Sequence, residues 1–237
     1  MRPLALVLLL SAAGCTPSGD APDAPSAAID SVQVRSVRDD STGAELPRVT
    51  LPGRPEVEAR VNAALDSLSA SMQCDPESAP PGAEPAEYTS RAAVTMAAHD
   101  VLSVTVHSSY FCGGPYPTND ANQSVTFYLR TGEAVPFDAL FRDLDADRAA
   151  ITGVIQTTLL PVATDENPDC AGPLSAEALA GTTFSYALSE EGLLVQPDFP
   201  HVIEACAVEV TLPYTSLRAY ARDGGVLARV TDALAGT

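Results

Sequence analysis

The chain has 237 residues, with 13 Lys+Arg against 31 Asp+Glu and a formal net charge of −18, and all of its basic residues are arginine. A balance this acidic excludes non-specific binding to nucleic acid or to anionic lipid headgroups, whose phosphates would repel it. A hydrophobic content of 46% is enough to build a core and argues against wholesale disorder, and the length suits one domain or two small ones sharing a core.

Residues 1–14 are expected to be a lipoprotein signal peptide. In MRPLALVLLLSAAGC, Arg2 is the positive n-region and Leu4 to Leu10 the apolar stretch, far short of the about 20 residues that a membrane span needs. The small residues Ala12-Ala13-Gly14 before Cys15 resemble a bacterial lipobox, with Ala12 where leucine is usual. On that reading Cys15 carries the lipid; an ordinary secretory signal cleaved near Ala13 is the alternative. Removing fourteen residues from 237 leaves 223, and losing Arg2 takes the charge from −18 to −19. Residues 15–29, small, acidic and Pro-rich, are expected as a disordered tether.

Residues 30–52 alternate through Val32, Val34 and Val37, then Leu46, Val49 and Leu51, around Ser41-Thr42-Gly43, which predicts a β-hairpin. A helix follows, with Pro55 in its first turn, Glu56 and Glu58 near its N-terminus, and Val57, Val61, Leu65, Leu68 and Met72 on one stripe. It is expected to end near Cys74, before an exposed acidic loop at 75–86 that holds four prolines. Residues 87–98 and 101–112 are predicted strands joined at His99-Asp100; in the second, Val104, Val106 and Ser108 alternate with Thr105 and His107. Residues 123–130 form a further strand that turns at Thr131-Gly132-Glu133 toward Val135, and Phe137 to Phe141 is a helical turn. An amphipathic helix at 145–160 carries Ile151, Val154, Ile155, Leu159 and Leu160 and is expected to end before Pro161.

Phe184 to Leu188 and Leu193 to Val195 make a predicted hairpin around Ser189-Glu190-Glu191-Gly192. A corner at Pro197–Pro200 precedes a predicted strand from Cys206 to Leu212, a helical turn from Tyr214 to Tyr220 and a terminal helix through Val226, Val230 and Leu234. Strands and helices mix without regular βαβ alternation. The expected class is α+β, a mainly antiparallel sheet with two principal helices packed on it. Residues 30–222 are taken as a single domain (segments 30–100 and 101–222), followed by a short C-terminal helix within 223–237.

Four of the five cysteines remain after the lipidated one: Cys74, Cys112, Cys170 and Cys206. An even number in an exported chain points to two disulfides. Cys74–Cys112 and Cys170–Cys206 are favoured because they flank two similar-sized halves, with Cys74–Cys170 and Cys112–Cys206 open as the alternative. No Cys-x-x-Cys is present and no histidine stands at ligand spacing from a cysteine, so no metal is expected.

Three stretches carry a resemblance: Glu45 to Leu68; Leu102 to Phe141, with SSYFCGGPYPTND and RTGEAVPFDALF; and Leu188 to Leu217, with a Glu-Glu-Gly turn, a Phe-Pro-His segment and VEVTLPYTSL. In this order, over residues 30–220, the chain resembles the bacterial envelope family called domain of unknown function 3298, with its 4163-type N-terminal segment. That family includes the extracellular half of a lysozyme-sensing anti-sigma factor and a non-catalytic domain beside a peptidoglycan deacetylase. The chain departs from it where Pro115-Tyr116-Pro117 follows Gly113-Gly114 in place of a common Ala-His pair, and in its four mature cysteines. The resemblance implies a fold and a compartment. With neither a membrane-spanning helix nor a sigma-binding segment in view, signalling of the anti-sigma kind is not expected.

No constellation announces catalysis. His99, His107 and His201 are scattered, Gly-x-Ser-x-Gly is absent, and acid pairs such as Glu190-Glu191 and Asp143-Asp145-Asp147 sit at a turn and at a helix start, where they complement backbone dipoles. The most function-like segment is the loop Cys112–Asn122. Gly113 and Gly114 permit positive φ, Tyr110, Phe111 and Tyr116 offer contact area, and Asn119, Asp120 and Asn122 can hydrogen-bond. Tyr110, Gly113, Gly114, Tyr116, Asn119 and Asp120 are therefore the candidate ligand-binding residues, with Cys15 for lipidation and no catalytic residue. The expectation is an exported, lipid-anchored, non-catalytic binding or sensor-like protein of the cell envelope, in the outer membrane or periplasm if the host is Gram-negative. It is expected to take a lysozyme-like protein or a glycan as ligand, to touch the membrane only through its lipid, and to need no cofactor and no nucleic acid. The alternatives are a glycan-acting hydrolase and a structural lipoprotein without a ligand.

Overall fold

The computed structural model describes residues 32–38, 44–71, 87–112 and 119–236. The signal, Cys15, the tether, Cys74, the 75–86 loop, Gly113, Gly114 and Tyr116 lie outside these residues. Within them the chain is α+β, with a six-stranded, mostly antiparallel sheet ordered β1-β2-β3-β4-β5-β6 and a three-stranded sheet ordered β7-β8-β9.

β1 (Gln33–Arg38) and β2 (Glu45–Thr50) pair antiparallel, and β2 meets β3 (Glu87–Ala98) in parallel through the single register pair Glu45↔Arg91. That leaves β2 backbone groups on its inner edge without a ladder partner. Helix α1 (Pro55–Ser71) supplies one: the Asn62 amide nitrogen donates to Val49 O at 2.9 Å while its oxygen accepts from Val49 N at 3.0 Å. Arg48 on β2 pairs with Asp66 one turn along the helix. Glu58, in the first turn of α1, accepts the Leu51 N–H at 2.8 Å.

β3 and β4 (Val101–Phe111) form the expected hairpin, with His99 at φ 55° and Asp100 at φ 61°. A two-residue turn with both residues at positive φ matches the right-handed strand twist, which is why it is tolerated here without glycine. Asp100 is anchored twice, its carbonyl accepting Leu129 N–H at 2.7 Å and its carboxylate accepting Arg130 Nε–H at 2.6 Å. β5 (Asn119–Tyr128) pairs with β4 along its whole length, and β6 (Glu133–Ala134) is a two-residue strand beside Phe127 and Tyr128.

The six-stranded sheet is apolar on both faces where it is covered. One face packs on α1, burying Leu46, Val49, Val61, Leu65, Leu102, Val104, Val106, Phe127 and Leu129 in one cluster. The second cluster joins Met96 and Val101 to α2 (Leu144–Glu166), β7 (Phe184–Leu188), β8 (Leu193–Pro197), β9 (Val210–Leu212), α4 (Tyr214–Leu217) and α5 (Val226–Ala235). Each fully buried Leu or Phe in these clusters contributes about 1.5–3 kcal/mol through its area removed from water. Cys170 is disulfide-bonded to Cys206 across 36 residues, closing a loop whose constraint is worth about 4 kcal/mol against the unfolded chain. Cys112 is also disulfide-bonded, and its expected partner Cys74 lies outside the described residues.

The structure differs from the sequence pattern in four places. α2 does not stop before Pro161 but runs to Glu166, because Leu159 and Ala163 bury on either side of the proline. Pro161 and Thr157, whose carbonyl loses its helical N–H partner, both face solvent, where water replaces the missing bond. The strand expected from Cys206 is only Val210–Leu212. Cys206 instead ends the 3-10 segment His201–Cys206, and the carbonyl of Ala207 accepts from the Gln196 side chain at 2.6 Å rather than from a ladder. β5 begins at Asn119 and not at 123, and α3 (Ala176–Ala180), capped by Ser175, had no counterpart in the pattern. Among the described residues no helix is long and apolar enough to cross a membrane.

Candidate functional site

β7 lies on the six-stranded sheet where the Ser103 and Thr126 side chains meet each other at its surface. Leu188 uses both backbone groups there, its N–H to Ser103 Oγ at 2.9 Å and its carbonyl to Thr95 Oγ1 at 2.7 Å. Tyr186, next along β7, donates its hydroxyl to Val135 O, and burial pushes its pKa well above the usual tyrosine value. Toward Phe184, β7 and β5 border a common open space.

The space between them is a groove of about 830 Å³. Asp120 to Ser124 of β5 form one wall, and Thr183 to Ser185, Gln196 to Phe199, Glu204, Ala205 and Ala207 form the other. The second wall is braced by Thr183 Oγ1 donating to Asp198 at 3.1 Å, by the Gln196–Ala207 bond, and by the disulfide that holds the end of the 3-10 segment. Among the described residues, Asp120, Asp198 and Glu204 line the groove with no arginine beside them in its lining, whereas two smaller cavities of about 280 and 300 Å³ each hold one arginine and one carboxylate. Carboxylates gathered in a partly enclosed cleft give it a negative potential that favours cations. Phe184, Pro197 and Phe199 add apolar surface, and Val202, on the 3-10 segment that supplies Glu204, is 87% exposed.

Beside the groove the sheet face is open and polar. His107 Nδ1 bonds Asn122 Oδ1 at 2.7 Å, and its Nε2 stands 3.9 Å from Asp120, the two side chains being 59% and 67% exposed. Since the Asn122 oxygen only accepts, Nδ1 carries the proton and Nε2 is the atom left facing Asp120. Among the described residues no group of three or more His, Cys, Asp or Glu is placed to hold a metal.

Of the candidate residues, Asp120 lines the groove and Tyr110 and Asn119 face each other across the ladder at the end of the β4–β5 hairpin. Gly113, Gly114 and Tyr116 lie outside the described residues. Asn119, Asp120 and Asn122 belong to a strand, not a loop; a strand polar on its exposed face carries no apolar alternation to announce it. The second wall, Thr183 to Ala207, was missed. Its one local signal is the run Gln196-Pro197-Asp198-Phe199-Pro200, where an aromatic sits between two prolines, a combination that reads equally as a simple corner.

No family model matches the chain, and no curated protein matches it in sequence. Solved structures do. A DUF3298 family protein from Pseudomonas aeruginosa PAO1 superposes with a TM-score of 0.51 at 13% identity, covering 82% of this chain and 96% of its own. A member of the same family from Bacteroides fragilis gives a TM-score of 0.59 at 9% identity, covering 86% of this chain and 99% of its own. The chain shares the fold of the domain of unknown function 3298 proteins, as its motifs implied.

Proposed function

We propose that this DUF3298-like fold serves as the binding domain of an exported, lipid-anchored envelope protein, non-catalytic, whose ligand is a cationic protein. The observation that carries the reading is the groove between β5 and the β7–β8 wall, lined by the three carboxylates Asp120, Asp198 and Glu204. The net charge of −18 would speed encounter with a basic protein such as a lysozyme. The short apolar stretch before Cys15 supports export and lipid attachment.

A glycan-acting hydrolase would draw on His107 and Asp120. General acid catalysis calls for a desolvated carboxyl with a raised pKa, and Asp120 is 67% exposed, so the geometry favours binding. The test is capture of a cationic glycan hydrolase by the purified chain at rising salt. Binding is expected at low ionic strength, weakened by salt and by the combined substitutions Asp120→Asn, Asp198→Asn and Glu204→Gln. No capture even at low salt removes the reading.

A further inference from the structure

The residues on the β5 side of the groove alternate between two environments. Asn122 and Ser124 project toward the β7 side of the sheet, as Thr126 does, while Ala121 and Gln123 project toward the α1 side; all four line the same space, and so does Leu68 of α1. An opening over one face of a sheet meets only every second residue of a strand. Lining by residues of both parities places this opening at the strand's edge.

Among the described residues that edge has no strand partner before Thr126. β6 pairs with β5 only at Phe127 and Tyr128, its line ending where Val135 N donates to Thr126 O at 2.8 Å. The next residue, Pro136, has no N–H, and the chain leaves the sheet in the 3-10 turn Phe137–Leu140. Thr126 O therefore points outward, away from β4, and strand periodicity turns the N–H and C=O groups of Ser124 and Asn122 the same way. Among the described residues no strand pairs with β5 on that side at these positions. A free edge of this kind takes an extended peptide by strand addition.

Building on the cation-binding reading, we infer that the groove receives an extended segment of a partner protein, with arginine or lysine at alternate positions, as a strand added to β5 in line with β6. Charge selects this occupant. A second copy of this chain, at −18, or its own acidic segment 15–29 would meet Asp120 and Asp198 with like charge. The register follows as well. A residue of the added strand whose backbone bonds Ser124 or Asn122 has its side chain on the β7 side, facing Asp198 and Glu204 of the opposite wall. The basic residues are thus the ones whose amides face β5, and the intervening residues turn toward Leu68.

The test uses the full chain and three labelled octapeptides of alternating valine and arginine, followed by fluorescence anisotropy at low salt: the parent, one N-methylated at every arginine, and one N-methylated at every valine. Methylation at arginine is expected to weaken binding at least tenfold and methylation at valine to leave it nearly unchanged. Ser124→Pro, which removes an outward N–H and no hydrogen bond of the β4–β5 ladder, is expected to weaken the parent tenfold or more, with Ser124→Ala as the control for loss of the hydroxyl; if the proline variant does not fold, the methylated pair decides alone. Equal binding of both methylated peptides, no binding of the parent, or concentration-dependent pairing of the chain with itself through β5 overturns strand addition. Capture of the cationic hydrolase in the presence of any of these results leaves the cation-binding reading standing, so the two fail separately.

Discussion

Ser103 on β4 and Leu188 on β7 are 85 residues apart, and the Ser103 hydroxyl accepts the Leu188 backbone N–H at 2.9 Å. This bond does for β7 what a neighbouring strand would do. Among the described residues β7 pairs with β8 alone, and the backbone groups of Leu188 that face the large sheet find hydroxyls on Ser103 and Thr95 instead of a ladder. The small sheet is thereby held against the large one at Leu188, while Phe184 and Ser185 at the opposite end of β7 line the groove with β5.

Ser103→Ala is expected to lower stability by about 1–3 kcal/mol, because it leaves a buried N–H with neither protein partner nor water. Equilibrium urea unfolding at constant m-value measures it. A loss under 0.5 kcal/mol would mean that the two sheets do not depend on this bond.

The His99-Asp100 turn offers a change of opposite sign. Asp100 must stay for Arg130, but the His99 side chain is exposed, and a β-carbon at φ 55° is strained. His99→Asn, the residue that two-residue turns of this hand prefer at the first position, is expected to stabilise the protein by about 0.5 kcal/mol. The shift in thermal midpoint relative to the parent chain reads it, and a decrease would contradict the turn assignment.

Glu209, just before β9, has its carboxyl pKa raised by partial desolvation. The folded chain thus holds this proton at pH values where the unfolded chain has released it. Stability from this group is full below the ordinary carboxylate range and is lost as pH rises through it to the raised value. Glu209→Gln is expected to unfold at a higher denaturant concentration than the parent at pH 7 and at the same concentration near pH 3. A benefit that persists unchanged in acid would point to packing and not to ionisation.

Much of the architecture was legible because burial imposes a period. Val104 and Val106 alternate with Thr105 and His107 as only one face of β4 meets α1, and the stripe Val57, Val61, Leu65 marks the side of α1 that covers it. Pro161 misled because proline ends a helix only where the lost bond cannot be replaced, and solvent exposure of that face is a tertiary property. The start of β5 was hidden for a related reason. Asn119 to Asn122 pair with β4 through backbone groups, and with Asp120 and Asn122 exposed the segment carries no apolar alternation.

By itself the sequence determined the order of the principal strands and helices, though not α3, together with the α+β class, the likeness to the domain of unknown function 3298 fold and the charge, all of which follow from local periodicity, motif order and composition. Only the tertiary structure decided where that charge acts. Asp120 lies on the far side of α2 in the chain from Asp198 and Glu204, and they line one groove because β7 docks on Ser103 beside the edge of β5 that β6 leaves uncovered. The angle at which one sheet lies on another is set by packing between residues distant in sequence, and no local pattern encodes it.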